Sequence, residues 1–353
     1  MLEKPYIKFI RILNNLNKTY KKILCLKILY FILRRVNQQE TFFTFLLNIY
    51  YIIPNDIIVE KFKNEWKDSL ETTCDMTYNF NNYLNYKPNH KNKINNQFLE
   101  WFIGFTEGDG SFIISKNKVY FDITQILSDI QILYKIKKEL GFGKVLIRSE
   151  KNRNIGVFYV TSEENFLRLI TIFNGNLSTL YKKEQFKNWL NTFNNQYDKN
   201  ILFIDRLVSP SLNSGWISGF TDAEGCFTGR VKECRTYKLK KGPHLTFSIS
   251  QKELYIIKEL RRVLINEELG LKNINFDKSW NGWIFHSSSF IKLKVIRYYF
   301  SRYKLKTKKL LAFRKWCLIH DMVLNKEHLT LEGLNKIDLL TKKINDFNYK
   351  LKI

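Results

Sequence analysis

Residues Trp101 to Phe112 read W-F-I-G-F-T-E-G-D-G-S-F, and residues Trp216 to Phe227 read W-I-S-G-F-T-D-A-E-G-C-F. Laid over each other without a gap, both run Trp, apolar, any residue, Gly, Phe, Thr, acid, small, acid, Gly, any residue, Phe. A stretch repeated in phase marks a duplicated structural unit. Phe98, Trp101, Phe102 and Phe105 fall at i, i+3, i+4 and i+7, which predicts a helix with an aromatic face. Gly104 and Gly108 stand four residues apart on it, and Gly219 and Ala223 hold the matching places in the second copy. Small residues at that spacing let two backbones approach closely, so they predict a helix–helix interface. The first helix should stop at Gly110, a residue suited to a C-terminal cap.

Each copy also carries two acids, Glu107 and Asp109 in the first, Asp222 and Glu224 in the second. All four lie at the C-terminal end of a predicted helix, where the macrodipole disfavours negative charge. Helix preference therefore does not choose them. If the helices pack through their small residues, a pseudo-two-fold brings Asp109 and Glu224 together at one end. Two carboxylates on a basic protein then make a hard-oxygen site suited to Mg²⁺. For one copy alone, an ordinary helix-ending turn is the simpler explanation; two copies in phase reverse that preference. Glu107 and Asp222 read as supporting or capping groups.

Outward from the repeat, the pattern of elements also recurs. After the first copy, strand-like runs at Ser111 to Lys116 and Val119 to Gln125 flank a tight turn near Asn117, and a helix at Asp129 to Leu140 stops at Gly141-Phe142-Gly143. A second hairpin (Lys144 to Arg148, Gly156 to Thr161) and helices at Glu164 to Phe173 and Tyr181 to Phe193 follow. After the second copy come strands at Cys226 to Lys232 and His244 to Gln251, a helix at Leu254 to Leu264, a hairpin at Ile274 to Lys278 and Gly282 to His286, and helices from Phe290 onward. The division is 1–95, a helical or loosely structured extension ending in an Asn-rich linker; 96–197, the first unit; 198–212, a linker; and 213–353, the second unit with a helical tail.

The chain has 353 residues, with 58 Lys and Arg against 33 Asp and Glu, a formal charge of +25. Solubility needs far less charge, so a nucleic-acid partner leads and an anionic membrane surface comes second. No apolar run reaches the length of a membrane span, and Lys27 interrupts the run from Ile23 to Leu33. Five scattered cysteines with no C-x-x-C pair argue for a reducing compartment and against a zinc or disulfide framework. The histidines show no ligand spacing. Abundant Ile, Lys, Asn, Tyr and Phe beside sparse Ala and Pro is the usage of an AT-rich genome, such as an organelle's.

The blocks G-F-T-E-G-D-G and G-F-T-D-A-E-G resemble the motifs of the double-motif, single-chain LAGLIDADG homing endonucleases encoded in organelle group I introns. Further likeness lies in F-D-I-T-Q at Phe121 to Gln125, F-S-I-S-Q-K at Phe247 to Lys252, and H-L-T-L-E-G-L-N-K-I at His328 to Ile337. The resemblance implies an α+β fold: two pseudo-symmetric α-β-β-α-β-β-α units whose antiparallel sheets form a saddle over DNA. It implies Mg²⁺ ions shared by Asp109 and Glu224, with Gly108 and Ala223 beside them, and polar groups at Gln125 and Gln251 ordering water. It implies Lys306 as the active-site lysine; the equivalent place in the first unit falls on Leu180 or Tyr181, with Lys182 nearby. The implied reaction is hydrolysis of both strands of a long, asymmetric duplex site across the minor groove, leaving 3′ overhangs, by a monomer in the mitochondrion or chloroplast.

On that saddle, strand alternation puts Ile113, Ser115 and Asn117 on one face of the first unit and Thr228, Arg230 and Lys232 on one face of the second. Asp122, Arg148, Ser248 and Lys278 are further candidates for DNA contact. The nearest rival is an RNA-binding maturase that uses the same scaffold on its host intron. A non-catalytic DNA-binding regulator would have no reason to keep both acids.

Overall fold

The computed structural model describes residues 78–346 apart from 94, 151–152, 236 and 267–270. Residues 1–77 of the predicted 1–95 extension, with Cys25 and Cys74, lie outside the described residues. Those described form a mixed α/β fold of two similar halves, each built on one four-stranded antiparallel sheet.

The chain enters through α1 (Asn81–Tyr86) and α2 (Asn96–Asp109). Asn95 caps α2, its side chain accepting from Phe98 N at 3.0 Å. Next come β1 (Gly110–Ser115) and β2 (Lys118–Ile126), joined by Lys116 and Asn117, both left-handed at φ 49° and 58°. Two successive positive-φ residues give a turn whose twist matches that of the strands it joins. A 3-10 turn at Leu127–Asp129 leads into α3 (Ile130–Leu140), which ends on Gly141 at φ 79°. The hairpin β3 (Lys144–Glu150) and β4 (Arg153–Val160) returns to the sheet, and α4 (Glu163–Phe173) and α5 (Leu180–Tyr197) complete the half. Strand order is β1-β2-β4-β3.

The second half repeats this with α6 (Trp216–Glu224), β5 (Gly225–Glu233), β6 (Lys241–Gln251), α7 (Leu254–Ile265), β7 (Ile274–Asp277), β8 (Gly282–Ser287) and α8 (Phe290–Arg302). Helices α9 (Lys309–Leu324) and α10 (Leu331–Lys343) follow. Strand order is β5-β6-β8-β7, the same pattern.

Alternation gives each sheet an apolar inner face. Phe112 lies opposite Phe121, and Phe227 opposite Phe247, all four buried. The helices close over these faces: Phe112 packs edge-on against Phe173, and Phe227 against Phe300 and Trp316.

Between the halves, α2 and α6 lie against each other, and the small residues set how closely. A Cβ built on Gly104 would sit 2.2 Å from Trp216 O, and one on Gly219 would sit 1.9 Å from Trp101 O. Gly108 faces Ala223, whose Cβ would lie 2.3 Å from one added there. The aromatic stripe is divided between two jobs. Trp101 stacks on Phe105 at 4.8 Å and sends its Nε1–H across to the other half, while Phe102 packs on Phe121 and Phe173 of its own half. Gly110 ends α2 in extended conformation at φ −85°, not in the left-handed form usual for such a cap. Glycine is needed there for space, since a Cβ would meet Thr106 Cγ2 at 2.6 Å.

Two stretches read as linkers are tied down. In residues 78–93, Phe80 and Tyr83 are buried, and Asn176 Nδ2 donates to Asn79 O at 2.7 Å. Helix α5 runs on to Tyr197, and in the connection after it Val208 is buried and bonded to Leu177 O at 3.0 Å. The tail at α10 closes over β5, with Asn345 Nδ2 donating to Phe227 O at 2.9 Å.

Candidate active site at the paired helix ends

The four acids separate into two buried anchors and two half-exposed groups. Glu107 accepts from Ser178 N at 2.8 Å, from Thr179 N at 2.6 Å and Oγ1 at 2.8 Å, and from Trp216 Nε1. Asp222 answers it, accepting from Trp101 Nε1 at 2.8 Å, Lys306 N at 2.7 Å, Thr307 N at 3.1 Å and Thr307 Oγ1. Each motif tryptophan thus crosses the interface to the other motif's first acid, and each acid caps the segment that starts α5 or α9. Burial pushes the Glu107 carboxyl up to about 7 and raises Asp222. Three N–H groups and the Thr179 hydroxyl all donate to Glu107, though, an arrangement that favours the anion.

Asp109 and Glu224 end the two helices side by side. Gln125 Nε2 donates to Asp109 Oδ2 at 2.7 Å. Glu224 lies against the first helix, where a Cβ on Gly108 would be 3.6 Å from its Oε1. Burial raises the Asp109 carboxyl, against the pull of Gln125, Lys309 and Lys182. Burial and then the Asp109 charge push Glu224 up to about 7. A cavity of about 350 Å³ opens here, lined by Asp109, Gln125, Asp129, Ala223 and Lys309 among others.

Two lysines face these acids. Lys309 Nζ donates to Ala223 O at 2.6 Å and to Thr221 O at 3.2 Å. Lys182 Nζ donates to Gly110 O and lies 3.3 Å from Gln185 Oε1. Burial lowers both ammonium groups, while Glu107 for Lys182 and Asp222 for Lys309, and after them Asp109 and Glu224, hold them up. Lys306, expected as the active-site lysine, has its Nζ 5.2 Å from the centre of the Trp101 ring, and burial pushes it down to about 8. Its backbone N–H, bonded to Asp222, fixes the direction of the segment. The repeated signal lay in S-T-L-Y-K-K at 178–183 and K-T-K-K at 306–309, each a capping threonine followed by lysines. Gln251 also differs from Gln125, because its Oε1 accepts from Lys252 N at 2.7 Å.

Two carboxylates fit a divalent ion that keeps most of its water and takes further oxygen ligands from its substrate, as Mg²⁺ does. No cluster of three or more His, Cys, Asp or Glu side chains that could hold a metal by itself occurs among the described residues. The carbonyl of Ala223, one of the expected metal neighbours, is engaged by Lys309.

On the outer sheet faces, Ile113 and Ser115 point opposite to buried Phe112, and Asp122 pairs with Ser111 and Tyr159. Asn117 occupies the turn, and Arg148 lies exposed opposite Ile155. In the second sheet Thr228, Arg230 and Lys232 are exposed in alternation, and Ser248 pairs with Cys226 and His286. Lys278 falls in the turn after β7, outside the strand. Cross-strand register adds His244, opposite Arg230, and Thr246, opposite Thr228.

The LAGLIDADG endonuclease family model matches residues 102–193 and 217–320, one segment in each half. The chain belongs to this family. It is 43% identical over 255 residues to a probable intron-encoded endonuclease of Neurospora crassa, across 71% of this chain and 45% of that protein. It is 28% identical over 283 residues to an intron-encoded RNA maturase of Saccharomyces cerevisiae, across 74% of this chain and 41% of that protein. The chain thus spans less than half the length of these two relatives. In fold it is similar to the LAGLIDADG meganuclease I-AabMI, solved bound to uncleaved DNA, with a TM-score of 0.57, 22% identity, and coverage of 70% of this chain and 99% of that one.

Proposed function

We propose that the protein is a site-specific, Mg²⁺-dependent homing endonuclease that cuts both strands of a long, asymmetric duplex site across the minor groove. The observation that carries this is the convergence of Asp109 and Glu224, one from each half, beside two lysines. Asp109 and Glu224 would hold the metal, with substrate and water oxygens completing the shell. Bound there, the metal supplies an activated water and charge stabilisation for the departing 3′ oxygen. Gln125 holds Asp109 in place. Lys182 and Lys309 balance the negative charge that gathers when a phosphate joins two carboxylates. The outer strand faces, with Arg230, Lys232 and Arg148, meet phosphates and base edges. Intron homing in a fungal mitochondrion is the setting that the relatives support, with the protein acting as a monomer because one chain holds both halves of the site.

The proposal is tested by incubating purified protein and Mg²⁺ with a randomised duplex library and sequencing the ends. One recurring sequence cut with 3′ overhangs is the expected result; the absence of any recurring cut contradicts it. Replacing Lys309 with methionine should slow cutting about 30-fold or more, as removal of a preorganised charge does. Lys306→Met should change the rate by no more than about threefold, losing mainly its contact with Trp101. Cleavage time courses distinguish the two.

Protons and metal compete for Glu224. Since its carboxyl sits at about 7, the Mg²⁺ concentration for half-maximal cutting should fall as pH rises, by about tenfold per unit below that value, and level off above it. A requirement that is flat from pH 6 to 8 would contradict a metal-binding Glu224 that titrates near 7.

A second activity, as a maturase on the host intron's RNA, is supported by the likeness to the yeast maturase. Intron splicing with and without the protein decides it.

A further inference from the structure

Each lysine of the site begins a helix that is held from both halves. At the start of α5, Glu107 takes the donors of Ser178 and Thr179. The next two come under a carboxylate of the other half: Glu253 Oε1 accepts from Leu180 N at 3.0 Å and Oε2 from Tyr181 N at 3.1 Å. Lys182 is the following residue. At the start of α9, Asp222 takes Lys306 N and Thr307 N. Lys308 then reaches into the first half, its Nζ 3.1 Å from Asp129 Oδ2 and 3.1 Å from Ser128 Oγ. Lys309 is the following residue.

The two grips occupy equivalent places. Glu253 follows β6 and precedes α7, and Asp129 follows β2 and precedes α3. The turn beyond each central strand therefore holds the helix on which the other half presents its lysine. The means differ, a bidentate backbone cap on one side and a side-chain ion pair on the other. Given the nuclease function proposed above, we infer that Glu253 and Asp129 are positioning residues, each setting the place of one active-site lysine in trans.

Leu180 and Tyr181 are exposed, so without Glu253 their N–H groups turn to water and the fold survives. What is lost is the direction of the first turn, and a displacement of about 1 Å at a reacting group can cost up to a hundredfold in rate. Because each grip serves one lysine, each loss should fall on one DNA strand.

The test uses a supercoiled plasmid carrying the cut site found by library selection. Glu253→Ala and Lys308→Met should each slow one strand by about tenfold or more, so that nicked circles build up before linear product. Primer extension should find opposite strands nicked by the two variants, with Tm moved by no more than about 3 °C. Glu253→Gln, which keeps one acceptor, should restore part of the loss. Both strands slowed equally, or the same strand nicked by both variants, would overturn the inference. If the wild-type protein cuts no duplex, the nuclease function fails, and hydrogen exchange still decides the positioning. Glu253→Ala should speed exchange of the Leu180 and Tyr181 amides about tenfold, and unchanged exchange would overturn it.

Discussion

Replacing Asp109 with asparagine, or Glu224 with glutamine, should reduce double-strand cleavage by at least about a thousandfold and leave duplex affinity within about threefold of wild type. A neutral amide keeps the shape of the site but removes half of its fixed negative charge, and metal-assisted hydrolysis depends on that charge. With binding proposed to be spread over the outer sheet faces and their basic residues, affinity should be insensitive to either change. Asp109→Asn also keeps an acceptor for Gln125, whose bond to Asp109 Oδ2 measures 2.7 Å. Cleavage time courses and a binding titration, done side by side, separate the two effects. Normal cutting by either variant would rule out its acid as part of the centre.

Gly219→Val should be at least as damaging, for a different reason. A Cβ at Gly219 would stand 1.9 Å from Trp101 O, 2.7 Å from its C and 2.8 Å from Phe105 N, all main-chain atoms of α2. Helix backbone cannot move aside as a side chain can, so the two motif helices would have to separate. That would also pull apart the Trp101–Asp222 and Trp216–Glu107 hydrogen bonds. We expect a loss of about 4 kcal/mol or more, at the severe end of single substitutions, with cleavage lost as well. Urea unfolding measures it. The packing also predicts a rescue: Gly108→Ala should destabilise by clashing with Ala223 Cβ, and Ala223→Gly in the same chain should restore most of the loss. Additive destabilisation by the pair would show that the two positions do not face each other.

The motif repeat made the fold legible because duplication constrains two stretches at once. Neither Gly104 nor Gly219 means much alone, whereas their common phase implies a partner helix. Strand alternation was similarly readable, since Phe112 and Phe227 mark the inner face and fix the outer one by parity. What escaped was everything set by long-range register. Lys309 comes to the end of the second motif helix, on the Thr221 and Ala223 carbonyls, where Asp222 grips the main chain at Lys306 and Thr307, a contact between residues far apart in sequence. Glu253 and Asp129 likewise act on the opposite half, and nothing local to either announces it. In the Asn-rich stretch before α2, composition does not announce the anchor to the first half. Asn79 and Asn176 bond to each other and seat Phe80 and Tyr83 in the core.

The proposed nuclease function requires that two acids from two halves make one metal centre. The direct measurement is a Mn²⁺ titration followed by electron paramagnetic resonance at pH 8, where Glu224 is ionised. It should be run on the wild-type protein, Asp109→Asn and Glu224→Gln, each with bound duplex. Binding weakened about tenfold or more in each single variant is the predicted result. Wild-type affinity in either one would contradict it.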